Sequence, residues 1–340
     1  MVKHGDLVSI VIPVFNVKPY LAEALESVFH QTYENIEIII IDDGSTDGSE
    51  TMCDEFLRKD ARVRVVHQAN RGLSNARNVG LDLMKGSIVA FLDPDDVYHS
   101  DYIASMMEAM VHTQADLVLC QYTVHKTKGR IKTTGHEKPQ PIARQGKYDR
   151  SDALRALTDG VINVSVWNKL YRRELWEDIR FPDGHVYEDS ITTYRVFDIC
   201  QLIYVLNKPL YLHRIRPGSI TGTYSLHNFC DLILASSSVE SFIVANTPDI
   251  FAADQIIKKR QASLNGLICV YLQHFYKYRG ATRDSFKEKI MEEFQKTEIE
   301  SFSLRTRAAY WMLSISPSLL WIMYSIYHPV RLLVWTIIGK

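Results

Sequence analysis

Val8-Ser-Ile-Val-Ile-Pro-Val14 decides the fold. The run lacks the polar alternation of a half-exposed strand, so it predicts a strand covered on both faces, as in a parallel sheet packed between helices. It is too short for a secretory leader, contains Pro13 and has no small-residue cleavage site behind it. Working outward, Tyr20–Gln31 places Leu21, Leu25, Val28 and Phe29 on one helical stripe. Glu37–Ile41 is a second apolar run, followed by a helix to about Leu57 that Asp47 or Ser45 can cap. Val63–Val66 and Ile88–Leu92 are further strands, and Leu73–Met84 is a helix with Ala76, Val79, Gly80 and Leu83 inward. Asp101–Thr113 reads as a helix and Asp116–Tyr122 as a fifth strand. Repeated βα units imply an α/β fold whose ligands gather at the carboxyl ends of the strands.

Beyond this block, Lys126 to Lys147 is polar and basic, a loop or solvated hairpin. Ser151–Leu157 looks helical, and Val161–Tyr171 and Ile203–Arg214 look extended. After about Tyr224 the pattern is helical, so a boundary near Gly222 separates residues 1–222 from 223–340. The 340 residues are 46% hydrophobic and 23% charged, which excludes a disordered or low-complexity chain. Lys and Arg (39) nearly cancel Asp and Glu (40), leaving no basic field for nucleic acid. The five cysteines are dispersed without a CxxC pair, as expected of reduced, mostly buried thiols in a cytosolic protein. Ala308–Val330 holds no Asp, Glu, Lys or Arg, is rich in Trp and Tyr, and lies between Arg305, Arg307 and Arg331. Because Pro317 and Pro329 interrupt it, the 308–340 tail is expected to lie at a membrane surface, with a spanning helix or ordinary packing helices as the alternatives.

Two acidic clusters follow two of the strands: Asp42-Asp43-Gly44-Ser45 and Asp93-Pro94-Asp95-Asp96. Turn and cap chemistry is the plain reading of either alone. Two at the same sheet edge repel each other and call for a cation, and Asp-x-Asp offers hard oxygen ligands for Mg²⁺ or Mn²⁺ bound to a diphosphate.

Four blocks in order are Val8-Ser-Ile-Val-Ile-Pro-Val-Phe-Asn16, Ile41-Asp-Asp-Gly-Ser-Thr-Asp47, Asn70-Arg-Gly-Leu-Ser-Asn-Ala-Arg-Asn-Val-Gly80 and Phe91-Leu-Asp-Pro-Asp-Asp96. Together they resemble a family-2 glycosyltransferase of the bacterial polysaccharide-biosynthesis type. The resemblance implies a GT-A (Rossmann-like) mixed, mainly parallel sheet flanked by helices, with a C-terminal helical extension. It implies that Pro13, Val14 and Phe15 hold the nucleobase and that Asp42 and Asp43 receive uracil and ribose. Gly72 and Ala76 would line the nucleotide, with Arg77 on base or phosphate; a buried ion pair is the structural alternative for Arg77. Asp95 would be the direct ligand of a divalent metal, Mn²⁺ or Mg²⁺, and Asp93 would bridge ribose or metal. Pro94 departs from the small polar residue often found there.

Inverting sugar transfer needs a general base for the acceptor hydroxyl. Val186-Tyr-Glu-Asp-Ser190 resembles the family's Glu-Asp block, which implies Asp189 as base and Glu188 as its orienting neighbour. Trp167 and Lys169 are the candidates for the acceptor side. His213 and Arg216, in a block resembling the segment that closes over the diphosphate, would stabilise the departing nucleotide. The implied activity is inverting, metal-dependent transfer from a nucleotide-sugar, most simply a UDP-sugar, to a glycan or polyprenyl-diphosphate-linked acceptor. The implied setting is the inner face of the cell membrane during capsule or exopolysaccharide synthesis. An inactive sugar-nucleotide-binding scaffold and a sugar-phosphate nucleotidyltransferase are the alternatives, and a homo-oligomer is left open. A GxGxxG dinucleotide loop after the first strand is absent, which removes a dehydrogenase.

Overall fold

The computed structural model describes residues 1–126, 139–140, 142–216, 225–275, 280–296 and 299–325. The chain divides into two compact units, Met1–Gly222 and Thr223–Lys340. The strands of the first unit are β1 (Val8–Val14), β2 (Ile36–Asp42), β3 (Val63–His67), β4 (Ile88–Phe91), β5 (Val97–Tyr98), β6 (Leu117–Lys126), β7 (Gly146–Tyr148), β8 (Lys169–Arg172) and β9 (Ile203–Ile215). They form one mixed sheet in the order β3-β2-β1-β4-β8-β6-β9-β5, with β7 alongside β9. Its helices are α1 (Lys18–Phe29), α2 (Ser49–Lys59), α3 (Leu73–Leu83), α4 (Tyr102–Thr113), α5 (Arg150–Thr158) and α6 (Glu188–Ile199).

β1 is buried along its whole length and pairs in parallel with β2 and β4, as the unbroken apolar run requires. β8 then enters antiparallel between β4 and β6. Of the Val161–Tyr171 segment only the last three residues are strand, the start of β8. The reason is the Lys169 ammonium, which draws in the main-chain oxygens of Asn163 and Ser165 that a ladder would otherwise use. β9 pairs in parallel with β6, with a register slip opposite Cys120–Tyr122 where Pro209 lacks an N–H. It runs one residue past the expected Arg214, to Ile215, with His213 and Arg214 as strand residues.

Glycine sets the closeness of α3 to the sheet. A Cβ on Gly80 would stand 2.3 Å from Val11 Cγ1 on β1. The inward face of α3 carries Ser74, Asn75, Ala76, Arg77, Gly80 and Leu81, while Val79 and Leu83 are half-buried. The expected stripe is thus rotated, and it turns Arg77 into the protein. Gly48, at φ +92°, takes the N-cap of α2, one position beyond Asp47. Asp47 still serves two helix starts, accepting from Ser49 N at 3.0 Å and from Lys18 N at 3.0 Å. The short β5 and β7, of two and three residues, have no sequence periodicity to announce them.

The second unit is helical: α7 (Leu226–Asn246), α8 (Ala253–Gln273), α9 (Ala281–Gln295), α10 (Leu304–Ile315) and a helix over 317–325. Phe229, Leu267, Phe286, Ile290, Phe294 and Leu313 are central to its core. Among the described residues, α7 is the one helix long and apolar enough to cross a membrane by length and composition. Residues 326–340 of the apolar tail, most of the Lys126 to Lys147 segment, and the 217–221 end of the His213 block lie outside the described residues. Cys53, Cys120 and Cys200 are buried, whereas Cys269 is exposed.

Candidate active site

Parallel register brings Val14, Asp42 and His67 level at the carboxyl edge of the sheet. The turns beyond them are sewn together. Asp43 N donates to Val14 O at 2.8 Å, and Thr46 N donates to Asn16 Oδ1 at 2.8 Å. Asp42 accepts from Ser45 N at 3.0 Å and from His67 Nδ1 at 2.8 Å. Asp43 accepts from Gln68 Nε2 and Arg71 N on one oxygen and from Gly72 N, at 2.8 Å, on the other. Both carboxylates are buried and spend their bonds on shaping these loops. Gly44 is required there: its φ is +78°, and a Cβ would stand 2.9 Å from Asn70 N. Gly72, at φ +91°, has open space where a Cβ would go, so a ligand can approach its backbone. Phe15 is exposed, but Pro13, Val14 and Ala76 are buried.

Five residues into α3, Arg77 joins the Asp93 turn to the Glu188–Asp189 pair. Its Nη2 donates to Asp93 Oδ1 at 2.8 Å, its Nη1 pairs with Glu188, and its guanidinium lies over the Phe181 ring. Its Nε has no hydrogen-bond partner among the described residues. Burial pulls its pKa down, but Asp93, Glu188 and Asp189 outweigh burial and hold it above its ordinary value. One guanidinium faces three carboxylates, so the deepest of the three resists ionisation. That group is Glu188, which burial pushes up to about 7 against the pull of Arg77. Beside it, Asp189 is half-buried in the first turn of α6 and accepts from Ser190 N at 2.7 Å. Tyr187 caps α6 at φ +62°, a left-handed conformation costly for a tyrosine, and it fixes how the Glu-Asp pair enters the helix.

The Asp93–Asp96 turn is held residue by residue. Asp95 accepts from Arg216 Nε at 2.5 Å. Asp96 is fully buried and accepts from Tyr211 Oη at 2.7 Å, His213 Nδ1 at 3.1 Å and Arg214 N at 2.7 Å. Burial pushes Asp96 up to about 6, opposed by His213. Burial lowers the His213 pKa, but its bond to Asp96 raises it further, above the usual histidine value. Arg214 is buried between Glu23, at 2.8 Å, and the Asp95 carbonyl, and Tyr20 lies beneath the guanidinia of both Arg214 and Arg216.

Both acceptor-side candidates, Lys169 and Trp167, are buried. Lys169 is completely buried, and its ammonium donates to Asn163, Ser165 and Asn168. Burial lowers it to about 7. It shapes the loop before β8 and presents nothing to an acceptor. Trp167 is 7% exposed, its ring stacked on Tyr211 (4.3 Å between centroids) and on His213 (5.2 Å). It supports His213 and offers no open platform. Sequence reasoning missed Asp183, which accepts from Asn75 at 3.2 Å and Asn78 at 3.3 Å and so clips the 181–184 turn to α3. A lone Asp before a glycine gives no signal of that pairing.

The donor set suits a hard divalent cation. Asp93 and Asp95 are both partly exposed carboxylates, and in each case a guanidinium stands where positive charge is wanted. Among the described residues no group of three or more His, Cys, Asp or Glu could hold a metal unaided. A protein shell of one or two carboxylates completed by phosphate and water is the usual arrangement for Mg²⁺. For Asp95 to serve, Arg216 must leave it.

A family model described as Glycosyl transferase family 2 matches residues 9–180. Among curated proteins, glycosyltransferase GlyA of Streptococcus pneumoniae is 35% identical over 228 residues, 65% of this chain and 32% of GlyA. Glycosyltransferase GlyG of the same organism is 34% identical over 224 residues, 64% of this chain and 74% of GlyG. The match therefore spans about a third of GlyA and about three quarters of GlyG. Among solved structures, S. aureus TarS in complex with UDP-GlcNAc superposes with a TM-score of 0.68 at 19% identity, over 92% of this chain and 89% of that one. At that identity the likeness concerns the fold, and the fold is α/β of the GT-A kind.

Proposed function

Because the chain belongs to glycosyl transferase family 2, we propose that Met1–Gly222 is its nucleotide-sugar-binding catalytic unit and that it works by inversion at the anomeric carbon. The observation that carries the reading is Arg77. It ties the Asp93 turn, where a donor diphosphate would lie, to the helix start that presents Asp189. Asp189 is the base: its carboxylate takes the acceptor hydroxyl proton as that oxygen attacks the anomeric carbon, and the bond from that carbon to the diphosphate oxygen breaks with its electron pair. Glu188, held by Arg77, orients the helix start. Phe15 flanks the nucleobase, Gly72 gives the nucleotide a close backbone approach, and Asp42 and Asp43 hold the loops that line it. His213 and Arg216 meet the charge that grows on the departing nucleotide. Asp95 and Asp93 would hold a divalent cation, Mn²⁺ or Mg²⁺, which when bound neutralises diphosphate charge.

The donor is a UDP-sugar. Support comes from the fold shared with TarS, whose complex contains UDP-GlcNAc. The acceptor is a hydroxyl of a glycan or of a polyprenyl-diphosphate-linked oligosaccharide at the inner face of the cell membrane, in cell-surface polysaccharide synthesis.

The test is UDP release from a panel of UDP-sugars with Mn²⁺. At least one donor is expected to turn over. A chelator should abolish that turnover, Mn²⁺ should restore it, and Asp95→Ala should lower it by about a hundredfold or more. Undiminished turnover in Asp95→Ala would contradict the metal assignment, and no release from any donor would favour a binding scaffold.

A further inference from the structure

A chain of hydrogen-bonded side chains runs from Asp43 to Asp183, and five residues stand between Asp183 and Asp189. Gln68 Nε2 donates to Asp43 Oδ1 at 2.7 Å and to Asn75 Oδ1 at 3.0 Å. Asn75 Nδ2 in turn donates to Asp183 Oδ2 at 3.2 Å. The carboxylate at each end only accepts, so a single orientation of the two amides satisfies the chain. A second arm runs beside it. Arg71 N donates to Asp43 Oδ1 at 2.9 Å, and the Arg71 guanidinium stands 3.9 Å from Asp183. Both arms lead from Asp183 back to one carboxylate at the carboxyl edge of the sheet.

Anchoring the 181–184 turn does not require Asp183. Phe181 exchanges two hydrogen bonds with Asn78: Asn78 Nδ2 donates to Phe181 O at 2.8 Å, and Phe181 N donates to Asn78 Oδ1 at 2.9 Å. The Phe181 ring is buried, stacked on Trp176 at 5.1 Å between centroids, with the Arg77 guanidinium over it. The Asp183 side chain is half exposed, where its ion pair with Arg71 adds little stability. Past Asp183 the backbone turns at Gly184, φ +80°, and at Tyr187, φ +62°, before it enters α6. Glu188 is fixed by Arg77, and the approach to it is set from Asp183.

We infer that Asp183 is a positioning residue that makes the placement of Asp189 depend on nucleotide at the Asp43 edge. Nucleotide held by the 43–48 and 68–72 loops fixes Asn75 and Arg71 with them. Asp183 follows, and the start of α6 is set for the acceptor hydroxyl once the donor is in place. The inference rests on the proposed nucleotide edge and on Asp189 as the base.

Amide hydrogen exchange of the full chain, with and without UDP and Mn²⁺, reads the link without turnover. In the wild type, UDP is expected to slow exchange both in the 43–48 and 68–72 loops and in 184–190. In Asp183→Ala, checked for native helicity by circular dichroism, the slowing should persist in the two loops and be lost in 184–190. The same variant should transfer sugar with kcat lower by about tenfold and an unchanged KM for the donor. Asp183→Asn, which still accepts from Asn75, should recover part of that loss. Asn75→Ala/Asp183→Ala should be no slower than Asp183→Ala, because both act through one link. The inference is overturned if 184–190 is protected equally in Asp183→Ala, if UDP protects only the two loops in the wild type, or if the losses of the double variant add. Protection of neither region would refute the nucleotide edge and the inference with it. Coupled protection in a protein whose Asp189→Asn variant keeps full transfer would refute the base assignment and leave the coupling through Asp183 standing.

Discussion

Replacing Asp189 with Asn is expected to lower the rate of sugar transfer by about 10²–10⁴-fold while leaving donor affinity unchanged. The substitution keeps size and shape and removes only the capacity to take a proton. Asp189 differs from its neighbour in what holds it: Glu188 is buried against Arg77, whereas Asp189 is half-buried, with one oxygen on Ser190 N. Steady-state UDP release with acceptor present, together with titration of the nucleotide alone, checks both halves. A loss confined to donor binding, with turnover preserved, would move the base elsewhere.

Arg77→Met is expected to destabilise the protein by about 3–5 kcal/mol, because it leaves Asp93 and Glu188 without their common cation. Arg77→Lys should recover part of this, since an ammonium supplies the charge but cannot fork between two carboxylates. The pH dependence has a definite sign. Glu188 has a folded-state pKa raised above its ordinary value, so its contribution to stability is present below the usual glutamate range and is lost as pH rises through about 7. Arg77 is what pulls that value down, so its removal drives Glu188 higher still and costs more at pH above 7 than at acid pH. Urea denaturation on both sides of neutrality measures this. A penalty under about 1 kcal/mol, or one independent of pH, would show that the ion triad is not what holds the turn to the helix.

The parallel half of the sheet was legible because buried parallel strands are written as apolar runs: β1 begins and ends where its run does. The family's four blocks were legible for a related reason, since each sits at a strand end or helix start where backbone geometry restricts residue choice. Less visible was everything decided by partners distant in sequence. Nothing near Lys169 announces that Asn163, Ser165 and Asn168 enclose it. Arg77 could be placed on α3 but not aimed, because the helix faces the sheet through Gly80 and its rotation follows from contact with Val11. β9 was legible as far as Arg214, but not that its pairing with β6 would bring His213 and Arg214 onto Asp96. Asp42 and Asp43 were found at the right edge, yet their bonds go to the protein's own loops.

The most direct measurement is a crystal structure of the full chain with UDP and Mn²⁺. The uracil is expected beside Phe15 and the loop from Asp43 to Gly72, the diphosphate and metal at Asp95, and Arg216 released from that carboxylate. Nucleotide bound away from this sheet edge, or bound there with the Asp95–Arg216 pair intact and no metal, would contradict the account.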